Sequence, residues 1–164
     1  MAIEYFMKID KADGESQSSK HKSEIELLSW SWGASNPTTI VGAGMSAGKV
    51  SMSDISFTKR VDKASPKLLG LCVTGDHAAN ATISCQKQTG QKTPEDFLII
   101  KLTEVYVSSY QVGGSSGEDT GTESISVSYA TIDYDYKVQD KDGNLKSGGE
   151  VKYDLRTREE SGGK

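Results

Sequence analysis

With two cysteines among 164 residues, the chain has no disulfide framework to staple it together. Cys72 and Cys85 lack a C-x-x-C spacing and both sit in apolar surroundings, so they read as small buried hydrophobes carrying reduced thiols. Histidine is equally sparse: His21 lies in the polar run SSKHKSE and His77 follows a candidate helix, and both read as solvated side chains with no metal-ligand spacing around them. There is no G-x-S-x-G and no H-E-x-x-H, which removes the motifs of nucleophilic and metal-assisted hydrolysis. The formal net charge of -4 lacks the basic excess that nucleic acid demands. No apolar run approaches membrane-spanning length. The first ten residues, MAIEYFMKID, alternate like a strand instead of forming a basic region and an apolar core, so no cleavable signal peptide is expected and the chain is read as starting in the cytoplasm.

What is present is alternation. Ile3, Tyr5, Met7 and Ile9 share one face, as do Ile25 and Leu27, and Ala81, Ile83 and Cys85, the pattern of half-buried strands. One segment departs from it: Ser65 as a cap, Pro66 in the first turn, apolar Leu68, Leu69, Cys72 and Val73 and a closing Gly75 predict a short helix over about 65–74, docked through its leucines. Four longer apolar patterns change phase partway. Ile25 and Leu27 give way to Leu28, Trp30 and Trp32; Val50 and Met52 to Ile55 and Phe57; Leu98, Ile100 and Leu102 to Val105 and Val107; and Ile125, Val127 and Tyr129 to Ile132, Tyr134, Tyr136 and Val138. A slip of one residue turns every later side chain to the opposite face, so each change marks a bulge or a bend. Long strands that bend at corners and pass between sheets predict a single β-barrel of two roughly orthogonal antiparallel sheets, with that helix on its flank. A second face buried by neighbouring subunits would also accommodate them. The domain spans residues 1–158, with Trp30, Trp32, Phe57, Leu68, Leu69, Cys72, Ile83 and Cys85 in its core, and 159–164 form a polar tail with nothing apolar to anchor it. Gly113 to Asp119 reads as a flexible connection between two strands and Lys141 to Asn144 as a turn.

Two stretches invite a chemical reading. Gly42-Ala43-Gly44-Met45-Ser46-Ala47 matches the dinucleotide fingerprint, which needs a helix immediately after the glycines. Here Lys49 to Ser53 alternates like a strand, so no nucleotide cofactor is expected and the glycines mark a pliant connection. Asp133, Asp135, Asp140 and Asp142 imitate a calcium loop only loosely: counted from Asp140, the glycine falls at the fourth position and Val151 at the twelfth, where glutamate belongs. No metal is expected. Serine, by contrast, recurs opposite the apolar positions, in Ser29 and Ser31, Ser51 and Ser53, and Ser124, Ser126 and Ser128. Short uncharged side chains there suit the close approach of another surface or a smooth polar wall, although serine can also be merely tolerated on a solvated face.

Three blocks, HKSEIELLSWSWGASNP, GAGMSAGKVSMSDISFTKRVDKASPKLL and SSGEDTGTESISVSYATIDYDYKVQDKDGNLKSGGEVKYDLR, resemble in order and spacing the Hcp tube proteins of bacterial type VI secretion. The resemblance implies a non-catalytic tube subunit: a homohexameric ring that stacks on further rings, is propelled by a contractile sheath, is capped by a trimeric spike and can carry effector proteins in its lumen. It implies residence in the bacterial cytoplasm before firing and secretion afterwards. Some family members carry fused C-terminal toxin domains; this chain, stopping at Lys164, is expected to be a plain subunit. Within that picture Ser29 and Ser31 are the lumen and cargo-contact candidates, and Asn36, Gly42, Gly44, Met45 and Gly48 the loop that packs between subunits or rings. The alternative is a monomeric β-sandwich module binding a carbohydrate or peptide, against which stands the placement of Trp30 and Trp32 on a core face instead of an exposed platform.

Overall fold

The computed structural model describes residues 3–41, 44–47, 49–90 and 93–161, with the backbone alone for 38–41 and 44–47. In chain order the elements are β1 (Ile3–Ile9), β2 (Ile25–Leu27), β3 (Ser29–Ser31), β4 (Ala34–Ser35), β5 (Thr38–Val41), β6 (Gly44–Ala47), β7 (Ser51–Met52), β8 (Ile55–Arg60), α1 (Ser65–Thr74), β9 (His77–Lys87), β10 (Glu95–Gly113), β11 (Thr122–Ser128), β12 (Thr131–Gln139), β13 (Leu145–Asp154) and β14 (Glu159–Ser161). Ten of these strands form one connected antiparallel system. It folds into two sheets that share β10. The first runs β2, β1, β9, the early half of β10, β12, β13 and β14; the second runs from the late half of β10 through β11 and β8 to β3. The hydrogen-bonded order does not close on itself among the described residues.

The corner between the sheets explains the phase changes. Leu102 and Val105 are both buried, leaving Thr103 and Glu104 together on the outside, with Glu104 at a φ of 50°. Its neighbours do the same at the same level: Ala79 and Asn80 face outward between buried Ala78 and Ala81, and Ala130 and Thr131 lie between buried Tyr129 and Ile132. The ladder keeps its register through the bend, from Tyr106 opposite Ser128 to Thr103 opposite Thr131. Three adjacent strands therefore turn together without inserting a residue. The same two-residue step separates Leu27 from Trp30, where the chain leaves β1's partner strand for β8's, and Met52 from Ile55. Leu28 is one of the two outward residues and is 44% exposed, instead of sharing the inner face with Trp30 and Trp32.

Helix α1 carries Pro66 in its first turn and ends on Gly75 at a φ of 72°, a left-handed stop that glycine adopts without strain. The capping position belongs to Ala64; Ser65 is the first helical residue. Leu68 and Leu71 face the core, while Leu69, one residue or about 100° of helix further round, is 43% exposed and does not join it. Phe57, Ile83 and Cys85 are buried, Cys72 is half-buried, and Trp30 and Trp32 pack against the core with part of each ring accessible. Glu159–Ser161, expected in an unanchored tail, pairs as a short strand with Lys152 to Asp154; residues 162–164 lie outside the described residues.

Candidate functional site: a hydroxyl-lined sheet face

On the second sheet the alternation has a simple consequence. Trp30, Phe57 and Ile125 lie side by side facing the core, so their flanking residues lie side by side on the outer face. Ser31, Ser56 and Ser126 form one row across three strands; Ser29, Thr58 and Ser124 form the next. One neighbouring pair in each row is hydrogen-bonded. Ser29 Oγ lies 2.6 Å from Thr58 Oγ1, and Ser56 Oγ lies 2.9 Å from Ser126 Oγ. The result is a wall of six hydroxyls, three across and two deep, with no charge inside it and Arg60 at its margin. The two outside these pairs, Ser31 and Ser124, are exposed to water, so the wall needs no ligand to satisfy it. Ser51 and Ser53 are not part of it: Ser51 pairs with Ser35 in a separate two-stranded ladder, and Ser53 Oγ donates 2.9 Å to the Gly33 carbonyl.

The inner side of the same strands holds a feature that sequence reasoning missed. Lys59 and Glu123 are cross-strand partners, and both occupy inward positions with no solvent exposure. The Lys59 ammonium donates to Glu123, to Asp62 Oδ1 at 2.8 Å and to the Arg60 carbonyl at 2.9 Å. Ser65 Oγ donates to Glu123 at 2.7 Å and accepts the Asp62 amide at 2.9 Å, and the Tyr110 hydroxyl donates to the other carboxylate oxygen. A buried charge needs such company. The block FTKRVDKASP is thus a single polar unit that locks the start of α1 onto β8 and β11. The alternation itself carried the signal, since Lys59 continues the inward series of Ile55 and Phe57, and Glu123 that of Ile125 and Val127.

His21 is also not the solvated residue its polar surroundings predict. It is buried, stacked on Phe6 at 4.6 Å, with Nδ1 3.0 Å from Glu24 and Nε2 2.8 Å from Asp96. His77 is exposed beside Tyr106. Burial pushes the Cys85 thiol up to about 12, which keeps it protonated and unreactive. The glycine stretch forms an antiparallel hairpin of β5 and β6, not a strand leading into a helix, so the dinucleotide geometry is not built. Of its candidate residues, Asn36 is exposed, Gly44 and Met45 lie in β6, and Gly42 and Gly48 fall outside the described residues. Asp140 caps its own turn, accepting the Asp142 and Asn144 amides at 2.9 Å each; these backbone contacts hold its carboxyl below the usual range. No metal-holding cluster occurs among the described residues.

Comparison with known proteins gives this geometry a family. The model of the type VI secretion system effector Hcp matches residues 6–136, most of the chain. The chain belongs to the Hcp family. It is 43% identical over 160 residues to the protein hcp1 of Pseudomonas aeruginosa, covering 97% of this chain and 98% of that one. A solved type six secretion system protein superposes with a TM-score of 0.90 at 36% identity, over 98% of this chain and 100% of the other. The Hcp1 structure from Salmonella typhimurium gives 0.79 at 34%, with the same coverage. Membership in this type VI secretion family thus rests on sequence and on structure together. No helix of the described residues is long and apolar enough to cross a membrane.

Proposed function

We propose that this Hcp-family chain is a non-catalytic structural subunit of the type VI secretion tube, six copies closing into a ring whose hydroxyl wall lines the lumen and touches effector proteins carried there. The observation that carries this reading is the wall itself: six short uncharged side chains on one face of three adjacent strands, four of them bonded in pairs. A surface of that kind leaves width for a passenger and offers hydrogen bonds without a fixed charge to trap it. A second feature supports self-association. Tyr136, Val138 and Val151, on the core-facing side of β12 and β13, lie beyond the core and are 39%, 46% and 47% exposed. An apolar sheet face left this open suits a neighbouring copy, and closure of a ring protects edge strands. The rings then stack inside a contractile sheath beneath a trimeric spike, and the subunit passes from the bacterial cytoplasm to the outside.

Sedimentation of the purified chain is expected to show one discrete oligomer, seen by negative-stain microscopy as annular particles with a hollow centre. A concentration-independent monomer would overturn the reading and favour a binding module instead.

The β5–β6 hairpin pairs with no third strand among the described residues, and in this reading it packs against a neighbouring subunit. Replacing Gly44 and Gly48 by bulky residues is expected to leave rings intact and impair stacking and secretion, measured by pelleting of tubes and by export from the cell. Normal stacking and export in that variant would exclude the contact.

A further inference from the structure

Between β1 and β2, residues 10–24 form a long connection instead of a tight turn, and its His21 lies on the outer face of the first sheet against Phe6. The segment holds itself in shape through its backbone: the Gly14 amide donates 2.9 Å to the Ser23 carbonyl, Ser16 donates 3.0 Å to Glu24, and Ser23 donates 2.9 Å to Ser16. Gly14 has no room for anything larger, since a Cβ there would stand 2.5 Å from the Glu24 carbonyl oxygen. Beneath lies Phe6, which faces away from the core yet is 2% exposed because His21 stacks on it. Ser84, opposite Phe6 on β9, and Gln86 are buried on the same side.

The start of the segment is tied elsewhere, Asp10 to Asn80, Lys11 to Asp76 and the His77 carbonyl, and Glu15 to the Lys63 amide; the part that lies over Phe6 is fastened by His21. Its two ring nitrogens each face a carboxylate, Glu24 at the segment's own end and Asp96 at the start of β10. A neutral imidazole has one N–H, so it can donate to one of them only; the other contact would set a lone pair against a carboxylate oxygen. Both contacts are favourable together when the ring carries two protons. We infer that residues 10–24 are a pH-responsive strap, fastened over Phe6 by a doubly bonded His21 imidazolium and loosened when that ring loses a proton.

The surrounding charges favour the fastened form. Desolvation by burial acts against the cation, but the hydrogen bonds to Asp96 and Glu24 and their charges outweigh it, and the His21 pKa is raised above its ordinary value. Lys20 and Lys22 flank the ring in sequence but are exposed; on the face beneath it β1 and β9 contribute neutral Phe6, Ser84 and Gln86, with exposed Glu4 and Lys8 of β1 and Glu26 of β2 beside Phe6, and the groove running on from Asp96 adds Glu95, Asp135, Lys137 and Glu150. The clamp therefore contributes fully below the unfolded imidazole value of about 6.5, and its contribution disappears as pH rises through the higher folded value.

The test is a histidine NMR titration of the full chain combined with hydrogen exchange of residues 10–24, corrected for the intrinsic pH dependence of exchange. His21 is expected to titrate above about 6.5. Strap exchange should rise through the same midpoint, by about tenfold for each unit by which the folded value exceeds the free one. Asp96→Asn should lower the midpoint of both signals together, a coupled shift that a purely structural role would not produce. His21→Gln should remove the pH dependence of strap exchange; if that variant fails to fold, Asp96→Asn still decides. Titration at or below the free imidazole value, or strap exchange that is flat across the transition, would overturn the inference.

Discussion

Removing the Lys59 ammonium alone, as in Lys59→Met, is expected to destabilise the fold by about 3–5 kcal/mol, the scale for leaving a buried partner charge uncompensated. Glu123 has no exposure to water, and among the described residues it would keep the Ser65 and Tyr110 hydroxyls as donors, while Asp62 would lose its ammonium partner. For a domain of this size each kcal/mol moves the melting temperature by roughly 2–4 °C, so the drop is large enough to read by calorimetry at fixed protein concentration. Glu123→Gln should do less harm, because its amide oxygen can still accept from Lys59 and Ser65. The decisive variant is the double replacement Lys59→Met with Glu123→Leu, which removes both charges and fills the space with apolar volume; it should recover most of the single-variant loss. A single Lys59→Met protein as stable as the parent would mean that the pair does not bear on the fold.

The same residues show how far the sequence could be read. The two-residue step at each corner shifts the hydrophobic phase, a local and periodic signal, so Ile55, Phe57, Val105, Val107, Ile125 and Val127 revealed bent strands without any knowledge of pairing. The helix was equally visible, bounded by Pro66 and Gly75. Pairing itself was not. That Ser56 and Thr58 lie between Ser29, Ser31 and the serines of β11 depends on which strands neighbour which, and β3 meets β8 across a separation that no local pattern encodes. His21 fails for the same reason. Its sequence neighbours are serine and lysine, which predict solvent, whereas Phe6 and Asp96 reach it only through the fold. Leu69 was misplaced by a single residue, because a ten-residue helix offers too few turns to distinguish adjacent apolar positions.

Enlarging the wall at Ser31, as in Ser31→Trp, is expected to leave rings intact and to lower the amount of effector protected inside them by about tenfold, equivalent to roughly 1.4 kcal/mol of lost association. Ser31 and its cross-strand neighbour Ser56 lie on the solvent-facing side of the second sheet, so a large side chain at position 31 can stand away from the core without displacing it. Exposed positions of this kind change stability by about half a kcal/mol or less. The effect on cargo has a different origin. An indole adds bulk to a row otherwise made of hydroxyls and replaces a group that both donates and accepts with an N–H that only donates. Ser31→Thr keeps the hydroxyl and adds one methyl, so it should retain most of the cargo. The same tryptophan placed at Val73, which is 73% exposed on α1 and belongs to no part of the wall, should leave cargo unchanged. Effector recovered with purified rings and surviving added protease measures the difference. If Ser31→Trp protects as much effector as the parent, the hydroxyl face is not the cargo wall; if it prevents ring formation while remaining folded, that face is a subunit contact.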